Sequence, residues 1–376
     1  LKKILYLTFN DAPSGIYFGQ VIDVCRFWNE TIKADVSLVA FISIRGFKEN
    51  KLKIKKEFPN AIVLPMFPKT RNWKMNRFLL SKYIRKINPE VIVGRGPFAT
   101  LLAQNFKTGR RICFDGRGAY HAEFSEYNVV PDKKVKEEIF EMERKSVMES
   151  DFRLAVSNEL VNYWKKEFQY SGENHVVIPC TLNERIFAEK ISEERRLTTR
   201  KKAGANAEDI LLVYSGSSAE WQSFNFLDKS MHNLLDKQKN LKIILLAKQF
   251  SEPLKIQKDF PDRVKQMWVD PNEVSEILQS CDYGWLVREN SITNLVASPV
   301  KFSEYLSSGL KIIISEKLGD YSEFVRKNNC GILFSETTMQ ELNVVAPEEK
   351  TRMNTLAKQY FTKQANESNY RKLLSV

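Results

Sequence analysis

The chain has 376 residues, 43% of them hydrophobic and 28% charged, which is the balance of a folded protein and excludes a disordered one; its length exceeds most single cores, so two domains are expected. The formal net charge of +12 is concentrated: from Arg45 to Lys86, thirteen Lys and Arg face only Glu49 and Glu57, leaving +11 in that segment. Five cysteines lie far apart, with no CxxC or CxxH pair, which argues against a disulfide framework or a zinc site and for buried, reduced thiols.

The N-terminal KKILYLTF is too short for the apolar core of a secretory signal, and no apolar run approaches ~18 residues. A cytoplasmic protein that spans no membrane is therefore expected. Strand-like runs follow at 4–9, 36–43, 61–67, 91–93, 111–115, 152–157 and 176–179, with helical stretches between most of them. That alternation predicts a doubly wound parallel domain over 1–182. A charged, strand-poor linker runs from Asn183 to Asp209. The second series, at 210–216, 241–248, 264–270, 283–287, 311–315 and 330–334, predicts another such domain within 183–346. The tail, 347–376, is charged and helix-prone with apolar Leu356, Tyr360 and Phe361, and is expected to pack back on the first domain. The fold class is α/β, two Rossmann-like doubly wound domains facing a central cleft.

The basic segment also holds Phe47, Phe58, Phe67, Trp73, Phe78 and Tyr83. Cations mixed with aromatics suit an anionic bilayer or a single-stranded nucleic acid. A solvated basic face whose aromatics lie in the core is the third reading.

Doubly wound domains bind ligands at the carboxyl ends of their strands. Those ends are 10–19 with Gly15, 94–97 with Arg95, 115–118 with Asp115 and Arg117, 215–218 with Gly216 and Ser217, then Lys248, Arg288 and the unit 298–304. No GxGxxG follows the first strand, so a nicotinamide cofactor is disfavoured. The last unit begins SPVKFSEYLSSGLKIIIS, at Ser298. Ser298 suits an N-cap, Pro299 the first helical position and Gly309 a helix stop. Lys301 then sits at the positive end of a helix dipole, where an anion is preferred. Helix amides, the Ser298 hydroxyl and the Lys301 ammonium together suit phosphate oxygens. Glu304, one turn on, suits the two hydroxyls of a ribose; the alternative is a Lys301–Glu304 surface pair.

The run VRENSITNLVASPVKFSEYLSSGLKIIIS resembles the donor-site segment of GT-B glycosyltransferases of the family 4 type, in the branch with P-x-K-x-x-E-Y-[LM]-x-x-G. EVSEILQSCDYGWLV, FRLAVSNELVNYW, VVIPCTLN and CGILF resemble further parts of that family in order. The resemblance implies that Glu304 binds the nucleotide ribose, that Lys301, Ser298 and the helix start bind the diphosphate, and that Gly216 and Ser217 form a phosphate-side loop. It departs at two places. Val296 stands where an E-x7-E pattern has its first glutamate, and the usual Arg and Lys pair is missing after the second domain's first strand. Lys248 and Arg288 are the nearest substitutes by position.

Sugar transfer needs a stabilised leaving diphosphate, which cations and helix amides supply without a metal. No DxD motif or metal-spaced cluster occurs among His121, His175 and His232. Neither metal nor cofactor is expected, and the nucleotide-sugar is a substrate. Asp115, Arg117 and His121 are the catalytic candidates to receive or orient the acceptor proton, and Gly15, Arg95 and Glu123 are placed on the acceptor side; a turn with a local ion pair is the plain alternative for 115–118. The expected function is transfer to a membrane-associated glycan or lipid-linked precursor in surface polysaccharide synthesis, with retention of configuration admitted. Peripheral contact with an anionic inner membrane face is expected, and nucleic acid is not. The alternatives are a nucleotide-sugar epimerase of the same fold, a nucleic-acid-binding protein using 45–86, and a non-catalytic sugar-binding relative.

Overall fold

A computed structural model describes residues 1–67, 69–127, 133–187, 190–216, 224–247, 254–270, 273–335 and 341–375. Each of the thirteen apolar runs is a strand: β1 (Lys3–Phe9), β2 (Asp35–Ile42), β3 (Ile62–Pro65), β4 (Val91–Arg95), β5 (Arg111–Gly116), β6 (Phe152–Ala155), β7 (His175–Val177), β8 (Ile210–Ser215), β9 (Leu241–Leu246), β10 (Val264–Met267), β11 (Tyr283–Leu286), β12 (Lys311–Ser315) and β13 (Gly331–Phe334). They form a seven-stranded sheet, β3-β2-β1-β4-β5-β6-β7, and a six-stranded sheet, β10-β9-β8-β11-β12-β13. All neighbours pair in parallel. Parallel strands are covered by helices on both faces, which is why they read as unbroken Val, Ile and Leu runs.

The chain divides into two units. The first comprises residues 1–183, 296–298 and 363–376, and the second 184–295 and 299–362. In the first, β1 alternates its side chains between two apolar layers: Ile4 and Tyr6 pack with Trp28 and Trp164 on one face, Leu5 and Leu7 with Phe41, Leu80 and Ile139 on the other. The second repeats this, with Leu211, Val213 and Tyr305 in one layer and Ile210, Leu212 and Trp285 in the other. All five cysteines are buried and unpaired with one another. Among the described residues no helix is long and apolar enough to cross a membrane.

Two boundary expectations are corrected. The stretch 183–209 is not a bare linker but contributes a helix, Glu193–Lys202, capped by the Ser192 hydroxyl, which accepts from the Arg195 amide. Arg200 on that helix is fully buried in the second unit, 3.1 Å from Asp282 and donating to the Ser280 carbonyl. The tail is two helices rather than one. Pro347–Phe361 belongs to the second unit, where the Phe361 ring lies 5.5 Å from that of Phe302. Glu367–Ser375 joins the first, where Tyr370 packs on Phe27 and Trp28 at 5.6 and 6.0 Å.

Candidate functional site

In each sheet the chain winds outward in both directions from one pair of strands, and at their carboxyl ends the crossovers part and leave room for a ligand. The pairs are β1 and β4 in the first unit and β8 and β11 in the second.

In the second unit the residues after β11 lead to the helix Val300–Ser307. A helix joining parallel strands runs against them, so its first turn lies at the strands' carboxyl ends. Its position is fixed by Tyr305, whose hydroxyl accepts from the Ser215 amide at the end of β8 (2.9 Å) and donates to the Trp285 carbonyl in β11 (3.4 Å). Gly284 permits this approach, because a Cβ there would stand 2.3 Å from the Tyr305 ring. Lys301 and Glu304 form the ion pair named as the alternative to ligand contact, Nζ to Oε2 at 2.8 Å, both partly exposed. The Glu304 Oε2 contact is ionic and not aligned as a hydrogen bond. Arg288 follows β11; its amide donates to the Ser315 hydroxyl (2.7 Å) and its guanidinium to Asn294 Oδ1 (3.4 Å). Gly216 follows β8 and donates to the Leu246 carbonyl. Ser217 and Lys248 lie outside the described residues.

Ser298 does not cap this helix. Pro299 is the N-cap and makes no side-chain cap bond, while the Ser298 hydroxyl accepts from the Cys180 amide at 2.8 Å within the first unit. Val296, where the resemblance would put a glutamate, is buried in the first unit's apolar core, and its carbonyl accepts from the Ser157 hydroxyl at 2.7 Å. An ionised glutamate would be expelled from that setting, which accounts physically for the departure.

In the first unit three predicted residues come together. Arg95 and Asp115 are register partners on β4 and β5, so their side chains leave one face of the sheet side by side. Arg117, two residues on, returns to the same carboxylate. Asp115 is 1% exposed; its Oδ1 lies 2.7 Å from Arg117 Nε, and its Oδ2 faces Arg95 Nη1 at 3.6 Å and accepts from the Tyr6 hydroxyl. A carboxylate so enclosed anchors the two arginines and is poorly placed to take a proton from a substrate. Asp11 completes the group at 3.6 Å from Arg95 Nε, with its side chain 36% exposed. Asn10, at positive φ (61°), turns the chain at the end of β1 so that Asp11 follows there.

His121 and Glu123 gather elsewhere, around Glu143 of the helix Lys133–Glu149. Glu143 Oε2 accepts from the His121 amide at 2.7 Å, and the His121 ring packs edge-on against Phe140, 5.0 Å between centroids. Burial raises the carboxyls of both Glu123 and Glu143, the latter to about 8. Tyr120 connects the two groups: its hydroxyl stands over Gly96, which has φ +74° and whose Cβ would be 2.8 Å from that oxygen. Gly15 is exposed at the start of the short helix Gly15–Tyr17, with nothing crowding its α-carbon. Residue-by-residue reading missed Tyr6, Asp11 and Glu143, of which Asp11 carried a signal as an acid immediately past the first strand; Tyr305 stood in the motif but was given no role in placing the helix.

No family model matches the chain, and no curated protein resembles it in sequence. Solved structures match it over its length. HepE from Anabaena in complex with UDP superposes with a TM-score of 0.71 at 14% identity, covering 100% of both chains. A glycosyltransferase from Rickettsia africae gives 0.70 at 12% identity over 99% of each chain, and sucrose-phosphate synthase from Thermosynechococcus elongatus 0.69 at 12% over 100% of both. At such identities the likeness is one of fold, and the fold is GT-B, as the donor-segment resemblance implied; the family 4 subdivision rests on that sequence resemblance alone.

Proposed function

We propose that this chain transfers a sugar from a nucleotide-sugar to an acceptor hydroxyl, the second unit binding the donor and the first the acceptor. The carrying observation is the placement of Lys301 and Glu304 on a helix whose first turn opens, without a side-chain cap, at the carboxyl ends of β8 and β11, where diphosphate and ribose would take over the two partners of their ion pair. Open amides and the Lys301 ammonium favour the diphosphate, and most of all as it gains charge on leaving. Glu304 offers a carboxylate to the ribose hydroxyls. In the reaction the bond from the sugar's anomeric carbon to the phosphate oxygen breaks, with the pair going to phosphate. The acceptor oxygen bonds to that carbon and its proton passes to the departing diphosphate, so that no protein carboxylate has to take it. None of these roles needs a metal.

The acceptor in this reading is a glycan or lipid-linked precursor at an anionic membrane surface, in surface polysaccharide synthesis. Two features support the membrane part. No acid occurs between Glu57 and Glu90, and the segment bearing the helix Arg77–Ile87 exposes Met75, Phe78 and Leu79 among Arg71, Lys74, Arg77 and Lys82. Apolar side chains ringed by cations suit a headgroup layer. Phe58 and Trp73 are buried, which removes them as platforms for base stacking.

The donor assignment is tested by thermal shift against nucleoside diphosphates, since a ligand of the folded state stabilises it. One of them, with UDP the first to try, should raise the melting temperature, and Glu304→Gln should weaken that binding roughly tenfold to a hundredfold, matching the ~1.5–3 kcal/mol of a charged hydrogen bond. Undiminished affinity in the variant would refute the ribose role of Glu304. Interconversion of the donor sugar without any acceptor would replace transfer with epimerisation.

A further inference from the structure

Arg95 and Arg117 are each 11% exposed on their side chains. A guanidinium carries five N–H donors, and buried donors are nearly always hydrogen-bonded. Here Arg95 Nη1 and Arg117 Nε, the nitrogens that face the Asp115 carboxylate, are buried without an aligned hydrogen bond, while the guanidinium edge of Arg95 toward Asp11 is the one that borders solvent. The contacts of Arg95 with Asp11 and Asp115, at 3.6 Å, are beyond hydrogen-bond reach. The Arg117–Asp115 contact is close, at 2.7 Å, but is not aligned as a hydrogen bond.

The surroundings favour an anion. Arg95 is the N-cap of the nine-residue helix Gly96–Gln104, in which no side chain caps the first turn and Pro97 has no N–H to offer, leaving the Gly96 and Phe98 amides without a side-chain acceptor. Lys363 brings a third cation to the unit's interior: it is 3% exposed and, among the described residues, its Nζ donates to the Thr181 carbonyl at 3.4 Å. On the acidic side, Asp115 is enclosed between the arginines, and Asp23 is tied to Arg26 at 3.2 Å. Asp11 is the carboxylate that reaches solvent, and it lies at a loose 3.6 Å from Arg95 Nε. A ligand oxyanion could displace it and form the aligned, bidentate bonds that Asp11 does not.

We propose that Arg95 and Arg117 form an oxyanion-recognition site at the carboxyl ends of β4 and β5, which takes a phosphate or carboxylate group. On the transfer reading above, that group belongs to the acceptor, which is then an acidic or phosphorylated saccharide and not a neutral one. Asp11 is the gate of the site, paired with Arg95 when it is empty.

The test uses the full chain without nucleotide, at constant ionic strength, titrated with a hexose 6-phosphate, a hexuronate and the neutral hexose. At least one of the two anions should bind or stabilise the protein and the neutral sugar should not; which anion does so separates phosphate from carboxylate. Arg95→Gln and Arg117→Gln should each weaken the effect at least tenfold. Arg95→Lys keeps the charge but loses the fork, and should also weaken it while the UDP-induced shift is unchanged. Equal binding of the neutral hexose, or wild-type anion binding by Arg95→Lys, overturns the site. If the glutamine variants fail to fold, the lysine variant decides. An anion response without a UDP response would leave the site standing and remove the donor reading, and the reverse outcome would do the opposite.

Discussion

Glu143 has no exposed surface and keeps Oε1 without a partner while Oε2 holds the His121 amide. Burial lifts its carboxyl from an ordinary 4.5 to about 8, against the pull of the His121 and Tyr120 amides and with a further push from Glu123. The folded chain therefore keeps a proton that the unfolded chain sheds near pH 4.5. Stability should fall as pH rises from about 4.5 to 8, by up to ~1.4 kcal/mol per unit from this group. Lys363, lowered to about 8 by burial, acts in the opposite sense and only above that pH. Melting temperatures measured across this range should show the decline in the parent and a flatter profile in Glu143→Gln; identical profiles would remove Glu143 as its source. Single residues were legible where their partners were near in sequence. Lys301 and Glu304 share a helix face, and Asp115 and Arg117 are two apart. Tyr6 and Asp11 enter the arginine cluster through strand order and register, which no short spacing reveals.

The helix Val300–Ser307 is held to its sheet through one glycine and one tyrosine. Gly284→Ala would drive the Tyr305 ring from its seat and loosen its hydroxyl from the Ser215 amide. We expect a loss of about 1–3 kcal/mol in denaturant unfolding, the usual cost of overpacking, together with weaker nucleotide binding. Tyr305→Phe, which removes only the hydroxyl, should lose about 0.5–1.5 kcal/mol. An alanine variant as stable as the parent would show that this contact does not fix the helix. Strands were the most legible elements, because a strand covered on both faces must be apolar throughout. The helix Glu193–Lys202 was not, because nearly all of its surface is charged and its anchor, Arg200, is itself a charged residue whose buried partner Asp282 lies far along the chain.

The whole chain is strongly basic, and that charge is the handle for its membrane test. Co-sedimentation with anionic vesicles should be strong at low salt and fade as screening shortens to about 8–10 Å near physiological ionic strength. Replacing Lys51, Lys53, Lys55 and Lys56 by Gln, or Phe78 by Ser, should weaken it and spare nucleotide binding. If the lysine variant instead keeps its vesicle binding and loses binding to single-stranded nucleic acid, the bilayer is the wrong partner. The division into two domains was legible from the doubled strand series, but the course of the chain between them was not: it passes from one unit to the other after Asn183, before Val296, after Ser298 and after Thr362. Tyr370, Leu373 and Leu374 belong to the core that β1 begins, and Lys2 donates to the Leu374 carbonyl at 2.7 Å. Domains commonly fold one after another as they leave the ribosome, the N-terminal one first. Here the first unit lacks Tyr370, Leu373 and Leu374 until residues 363–376 have been made, so the second unit, whose residues lie within 184–362, has its sequence before the first has all of its core.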